Sequence, residues 1–429
     1  MNGVLYYIWK NRLLDNIKLH TTDGKSLDII DYGTWNGIDN IVNNTKIRID
    51  NQIWSGDIVL HNKSSEPKDR IDRKDGSYSN VILHVSMNGD YKATGEHCEA
   101  AHQLNIECAD SLNEEYEAME QHISKLPCGK AIREIENVVL HSILSRLLVE
   151  RIEEKSTTIG ELLTECSMKW DDALFKTIAR SFGFGIQSNV FGKWASILDM
   201  QALARHRDNI MQIEAIMFGQ AGLLDEQSIP YYYRDSASRS DYFQEISKEY
   251  RYLSKKFSLE CMDHRSWGAS NATPHLRIAR LASIYNRNRT NMDSITACNT
   301  INELRELLNA PLDGYWRNHT CFGGTETCGN GAIKERHCDI IIMNAFVPTL
   351  FIYGKRHANM ALCSRAEDYM YLMKGEENSI IRRWKEEGVK VECAADSQAL
   401  LQLNKKYCSV CNCKNCYFAY HYIKRGLAI

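Results

Sequence analysis

The sequence predicts an α+β protein: a small N-terminal mixed β-sheet domain, residues 1–108, followed by a large all-α domain, residues 109–429. Three observations carry that expectation. Between residue 15 and about 95, apolar and polar side chains alternate with period two, as they do on half-buried strands. From about residue 110 the period lengthens to 3.6, the signature of helices with one apolar stripe. The composition, 44% hydrophobic and 25% charged over 429 residues, is that of a globular chain and excludes disordered, collagen-like and coiled-coil organisation.

In chain order, Val4, Leu5, Ile8 and Trp9 stand at helical spacing within residues 3–14, so a short helix is expected to cover one sheet face. Four or five strands follow. LHTTDGKSLDII turns at Asp23-Gly24, TKIRID turns at Asp50-Asn51 into QIWSGDIVLHNK, and SNVILHV ends at Asn88-Gly89. EEYEAMEQHIS, NVVLHSILSRLLVERIEE, DDALFKTIARSFG, NIMQIEAIMFGQAGLL, DYFQEISKEYRYLSKKF and HLRIARLASIY then carry apolar residues at spacings of three and four. Breakers at Pro127, Gly183, Gly185, Gly219, Gly222, Pro230 and Pro274 divide these helices. The stretch 319–338, HTCFGGTETCGNGAIKERHC, reads as a long surface loop. The apolar run 340–354 is interrupted by Asn344 and Pro348 and falls short of the ~20 residues a bilayer span needs, so no membrane helix is expected. The start MNGVLYYIWKNRLLD lacks the basic region, apolar core and cleavage site of a signal peptide, which points to a cytoplasmic protein.

A formal net charge of -3 gives no global field to recruit nucleic acid or an acidic membrane, so either partner would need a local patch. Residues 397–429 supply one. They contain no Asp or Glu, and Lys405, Lys406, Lys414, Lys424 and Arg425 are interleaved with Tyr407, Tyr417, Phe418, Tyr420 and Tyr422. That mixture suits phosphate contact with base stacking, and equally a basic tail packed on the body. His206, Arg207 and Asp208 precede a Gly-containing helical segment, where ties between neighbouring helices are the expected role. No serine-hydrolase elbow, phosphate loop or dinucleotide fingerprint is present.

The strand DIVLHNK places Asp57, Val59, His61 and Lys63 on one face and Ile58 and Leu60 on the other. Asp39 precedes the neighbouring strand. Two acids followed by a lysine resemble the restriction-endonuclease-like fold, in which carboxylates hold a magnesium ion and a lysine orients or activates the attacking water. On that reading Asp39 and Asp57 bind magnesium, Lys63 serves the water and His61 is a polar orienter. The alternative is the solvated side of a half-exposed sheet. His84, in NVILHVS, is expected to be structural.

Fifteen cysteines in a large chain expected in a reducing compartment read as thiols or metal ligands. Cys408, Cys411, Cys413 and Cys416 fall within nine residues. Cys408, Cys413 and Cys416 have the C-x4-C-x2-C spacing of iron-sulfur sites, whereas two C-x2-C steps suit zinc. Four thiolates from this segment alone would be cramped, so Cys128 or His421 is a candidate for the last ligand. Cys321, Cys328 and Cys338, with His319 and His337, form a looser second cluster.

YIWK (7–10), WSGDIVLHNKSS (54–65), NVILHV (80–85), LPC (126–128), HRDNIMQIEAIMFGQAGLL (206–224), IIRRWKEEGV (380–389) and AADSQALLQLNKKYC (394–408) together resemble the bacterial family known as domain of unknown function 2851. The resemblance spans nearly the whole chain and implies no assigned reaction. It implies Pro-Asp near position 39 and glutamate at position 59, where this chain has Ile38-Asp39 and Val59. It also favours Cys128, Cys408, Cys413 and Cys416 over Cys411, where the family has a basic residue. Two expectations result: a metal-dependent, nucleic-acid-acting nuclease-like protein with a degenerate site, or a non-enzymatic scaffold or binding protein with a structural metal.

Overall fold

A computed structural model describes residues 3–427 except 16, 36–39, 62–79, 90–100, 110, 113, 115, 118–127, 129–131, 133–134, 186, 269–273, 313 and 326–332. The chain forms an N-terminal mixed sheet followed by a large helical region, as the two periodicities require. Its compact units do not follow a boundary at residue 108. One, the sheet unit, comprises residues 1–143, 378–390 and 400–429; the other, the helical unit, comprises 144–377 and 391–399.

The sheet unit begins with helix α1 (Val4–Lys10), whose Trp9 indole donates to the Tyr32 carbonyl at 3.0 Å. Strands β1 (Leu19–His20), β2 (Ser26–Asp31), β3 (Thr34–Trp35), β4 (Ile41–Ile49), β5 (Gln52–Leu60), β6 (Val81–Met87) and β7 (His102–Ile106) follow. Their order is β1-β2-β4-β5-β6-β7, with β3 also pairing β4. The first strands are antiparallel. Asp50, at φ 49°, makes the tight β4–β5 turn that pairs Ile49 with Gln52. β5, β6 and β7 are mutually parallel.

Past β1, Thr21 bridges to Leu104 of β7 and the Thr22 amide donates to the Gln103 carbonyl at 2.8 Å. The two edges of the sheet therefore meet, which satisfies edge groups that would otherwise template unwanted pairing. In this curled sheet Ile58, Val59 and Leu60 of β5 are all at most 4% exposed. Strict alternation predicted that only one side of β5 would be covered.

The C-terminal segment belongs to the sheet unit because it is stitched to the chain leaving β7. Cys108 bridges to Leu427, and the Ala109 amide donates to the Gly426 carbonyl at 2.8 Å. The Tyr417–Gly426 helix buries Phe418 and Ile423 completely, with the Phe418 ring 6.2 Å from Trp384.

In the helical unit, the expected stripes become helices at Trp170–Ser181, Ile210–Gln220, Asp241–Phe257 and His275–Arg287. The ties predicted around His206 are present: Arg207 donates to Asn288 at 2.8 Å and to the Tyr285 hydroxyl at 3.2 Å. Buried rings such as Phe218, Trp316 and Phe322 contribute about 1.5–3 kcal/mol each by leaving water.

Two expectations for this unit need correction. The 319–338 stretch is not simply a surface loop: His319–Cys321 and Gly324–Thr325 form a small hairpin around fully buried Phe322. Nor do Asn344 and Pro348 break the apolar run. Glu335–Arg356 is one continuous helix of 22 residues, long and apolar enough to cross a membrane, with 72% of its apolar stretch buried inside the protein. A π-helical turn, Ile342–Phe346, accommodates Pro348, whose ring would clash with the carbonyl four residues back in a regular helix. Side chains of the neighbouring Asn137–Glu165 helix serve two carbonyls of this stretch. Lys155 donates to Met343 at 3.4 Å and Ser156 to Pro348 at 3.0 Å.

Candidate functional site

β5 and β6 bring two histidines together inside the sheet unit. Val59 pairs with His84 in parallel register, and the His61 amide continues the ladder to the Val85 carbonyl at 2.9 Å. His61 and His84 thus share a face, with His61 Nε2 and His84 Nδ1 2.9 Å apart. One ring donates to the other. Burial, then the nearby His84, holds His61 down to about 3, and burial lowers His84 as well. Both rings are neutral at pH 7, which is the condition for one hydrogen to be shared between them. The face continues with Ser86 and Asn105, register partners on β6 and β7.

Asp57 lies at the other end of this strand segment and has a local task. Its Oδ1 accepts the Asn44 amide at 3.1 Å, where β4 bulges between Val42 and Thr45 with Asn44 at φ 58°. Asp39 and Lys63, the remaining members of the proposed acid–lysine set, lie outside the described residues. Among the described residues this face offers one carboxylate, already engaged, beside Val59, which has no donor atom. Among the described residues no group of three or more His, Cys, Asp or Glu is arranged to hold a metal ion. The chemistry left to the described residues is the holding of a proton between two neutral imidazoles.

The candidate nucleic-acid contacts also fall in the sheet unit. Lys405, Lys406, Lys424 and Arg425 are exposed, as are Arg382 and Lys385; the side chain of Lys414 lies outside the description. Of the interleaved aromatics, Phe418 is core and unavailable for stacking.

The cysteines divide. Cys411 is exposed at φ 58°. Cys128, Cys408, Cys413 and Cys416 stand within electrostatic reach of one another. Burial and then Cys416, Cys408 and Cys413 raise Cys128 far above its ordinary value, and burial, Cys416 and Cys413 push Cys408 up to about 12. Arg383 acts on Cys408 in the opposite sense. Tyr7 of α1 feels Cys416 and Cys413. None of the four is in a disulfide. His421, the other candidate last ligand, is partly exposed on the C-terminal helix beside Tyr420.

The helical unit holds a polar cluster that pattern reading missed. Glu214 is 7% exposed, and burial raises its carboxyl to about 7 despite hydrogen bonds that pull it down. The Tyr242 hydroxyl donates to Glu214 Oε2 at 2.7 Å and receives the Trp316 indole N–H at 2.9 Å. His275, 3% exposed beside Phe218, Trp316 and Phe322, has neither ring nitrogen hydrogen-bonded and is held down to about 3 by burial. A signal existed: IMQIEAIMFGQAGLL is apolar on nearly every side, so its single carboxylate had to be buried.

No curated protein and no solved structure matches the chain. Residues 2–379 match the family described as protein of unknown function (DUF2851), and the chain belongs to that family.

Proposed function

We propose that this protein binds nucleic acid through its sheet unit without cutting it, as a nuclease-like module whose acid–lysine face has lost a metal-binding carboxylate at Val59. The observation that carries the reading is the make-up of that unit. One compact body contains the β5 strand with Asp57 and the adjoining His61 together with residues 400–429 of the acid-free segment, which bear Lys405, Lys406, Lys424 and Arg425. A chain with a net charge of only -3 has little long-range attraction for phosphate, so a concentrated patch is the physical route to binding.

The test is fluorescence anisotropy of the full chain against single- and double-stranded DNA and RNA over a salt series. Lys405→Glu/Lys406→Glu and Lys424→Glu/Arg425→Glu should weaken binding and flatten the log–log salt slope by about 0.7 per lost single-strand phosphate contact, or about 0.9 for duplex. Absence of binding at low salt, or indifference to both charge reversals, would leave a scaffold role instead. Incubation with magnesium or manganese checks the second clause. Wild type should not cut, and Val59→Glu is the variant in which cutting is expected to return.

A further inference from the structure

We infer that Cys128, Cys408, Cys413 and Cys416 are the four ligands of an iron-sulfur cluster that ties the C-terminal segment into the sheet unit, with Cys411 outside the set. Local geometry gathers three of them. A π-helical turn, Asn404–Cys408, extends the Ala394–Leu403 helix and delivers Cys408. The chain then reverses, with the Asn412 amide donating to the Tyr407 carbonyl at 2.8 Å and the Cys411 amide to the Cys408 carbonyl at 3.3 Å. The left-handed residue of this reversal is Cys411, exposed to solvent. The Cys416 amide donates to the Cys413 carbonyl at 3.0 Å, and Cys416, 6% exposed, opens the Tyr417–Gly426 helix.

At that helix N-terminus the Phe418 and Ala419 amides lie within hydrogen-bond reach of the Cys416 sulfur. Cys128 arrives from the distant part of the chain, at the start of a turn in which the Ile132 amide donates to its carbonyl at 3.2 Å. The four cysteines stand within electrostatic reach of one another, with Tyr7 acted on by Cys416 and Cys413 and Arg383 acting on Cys408.

Charge explains why the group needs a ligand. As thiols the four residues gain little from proximity, and as thiolates they repel; a bound cation removes the conflict by taking the thiolates as donors. Spacing selects the ligand. A single zinc draws its four sulfurs to about 2.3 Å from one point. A cluster is several atoms wide and holds its thiolates apart around its periphery, and Cys408-x4-Cys413-x2-Cys416 with one remote cysteine is a spacing that iron-sulfur sites use.

The experiment is iron, acid-labile sulfide and zinc analysis, with visible absorption, on full-length protein purified without oxygen. Equal amounts of iron and sulfide, with absorption bleached by dithionite, are expected in wild type and in Cys411→Ser. Cys128→Ser and Cys413→Ser should lose most of both. Zinc alone, or no metal, in wild type would overturn the inference whether or not the variants fold. So would a Cys128→Ser protein that keeps its iron, or a Cys411→Ser protein that loses it. These readouts are metal contents, so their failure leaves the nucleic-acid reading to be judged on its own binding test.

Discussion

Replacing both buried histidines of the sheet, His61→Leu/His84→Leu, should abolish much of the sheet's sensitivity to acid. In the unfolded chain His61 takes up a proton near 6.5; in the folded sheet it does so only near 3, chiefly because burial penalises the charged ring. The unfolded state therefore binds more protons between those values. The stabilisation is complete above pH 6.5 and is lost as pH falls toward 3. At about 1.4 kcal/mol per displaced proton per pH unit, His61 alone costs the sheet about 2 kcal/mol on going from pH 7 to pH 5. His84, also lowered by burial, adds in the same direction. Removing both rings together avoids leaving either one with its 2.9 Å partner missing.

Amide exchange by mass spectrometry on β5 and β6 peptides, corrected for intrinsic exchange chemistry, reads this unit separately from the helices. Wild-type protection should fall at least about 30-fold more than that of the double variant over this pH interval. Equal slopes for the two proteins would refute the reasoning, because they would mean that the pair is charged or solvated in the folded sheet.

Three further outcomes are expected in the helical unit. Glu214 has a folded pKa raised by burial to about 7, so its contribution is present in acid and lost as pH rises past 4.5 toward 7; Glu214→Gln should be the more stable protein above pH 7, by about 3 kcal/mol at pH 8, in urea titrations at several pH values. Gly219→Ala places a methyl 2.1 Å from the Tyr250 ring, and overpacking of this kind should cost about 1–3 kcal/mol, seen as a drop of several degrees in Tm. Arg305 donates to both oxygens of buried Asp339, at 2.9 and 3.1 Å; Arg305→Ala should destabilise by about 3–5 kcal/mol, whereas restoring an apolar pair with Asp339→Leu should recover part of it.

Periodicity alone identified α1, strands β1, β2, β4, β5 and β6 and the main helices, though not β3 or β7, because burial on one face of an element leaves a repeat of two or 3.6 in the chain itself. The Asp50-Asn51 turn was legible for the same reason: a residue type that tolerates positive φ stands between two alternating runs. Cys408, Cys413 and Cys416 were visible as a cluster because spacing is a property of sequence.

Partnership across the chain was decided only by tertiary structure. That His61 meets His84 depends on parallel pairing of β5 with β6, which alternation within one strand leaves open. That Cys128 comes within electrostatic reach of three cysteines near the far end depends on the C-terminal segment returning to the sheet unit through Cys108, Ala109 and Leu427. Pro348 could sit in a continuous helix because Lys155, almost two hundred residues earlier, donates to the Met343 carbonyl that the missing proline N–H leaves open. Local propensity records which face of an element seeks burial; what that face finds there is set by packing between segments that carry no mark of one another in sequence.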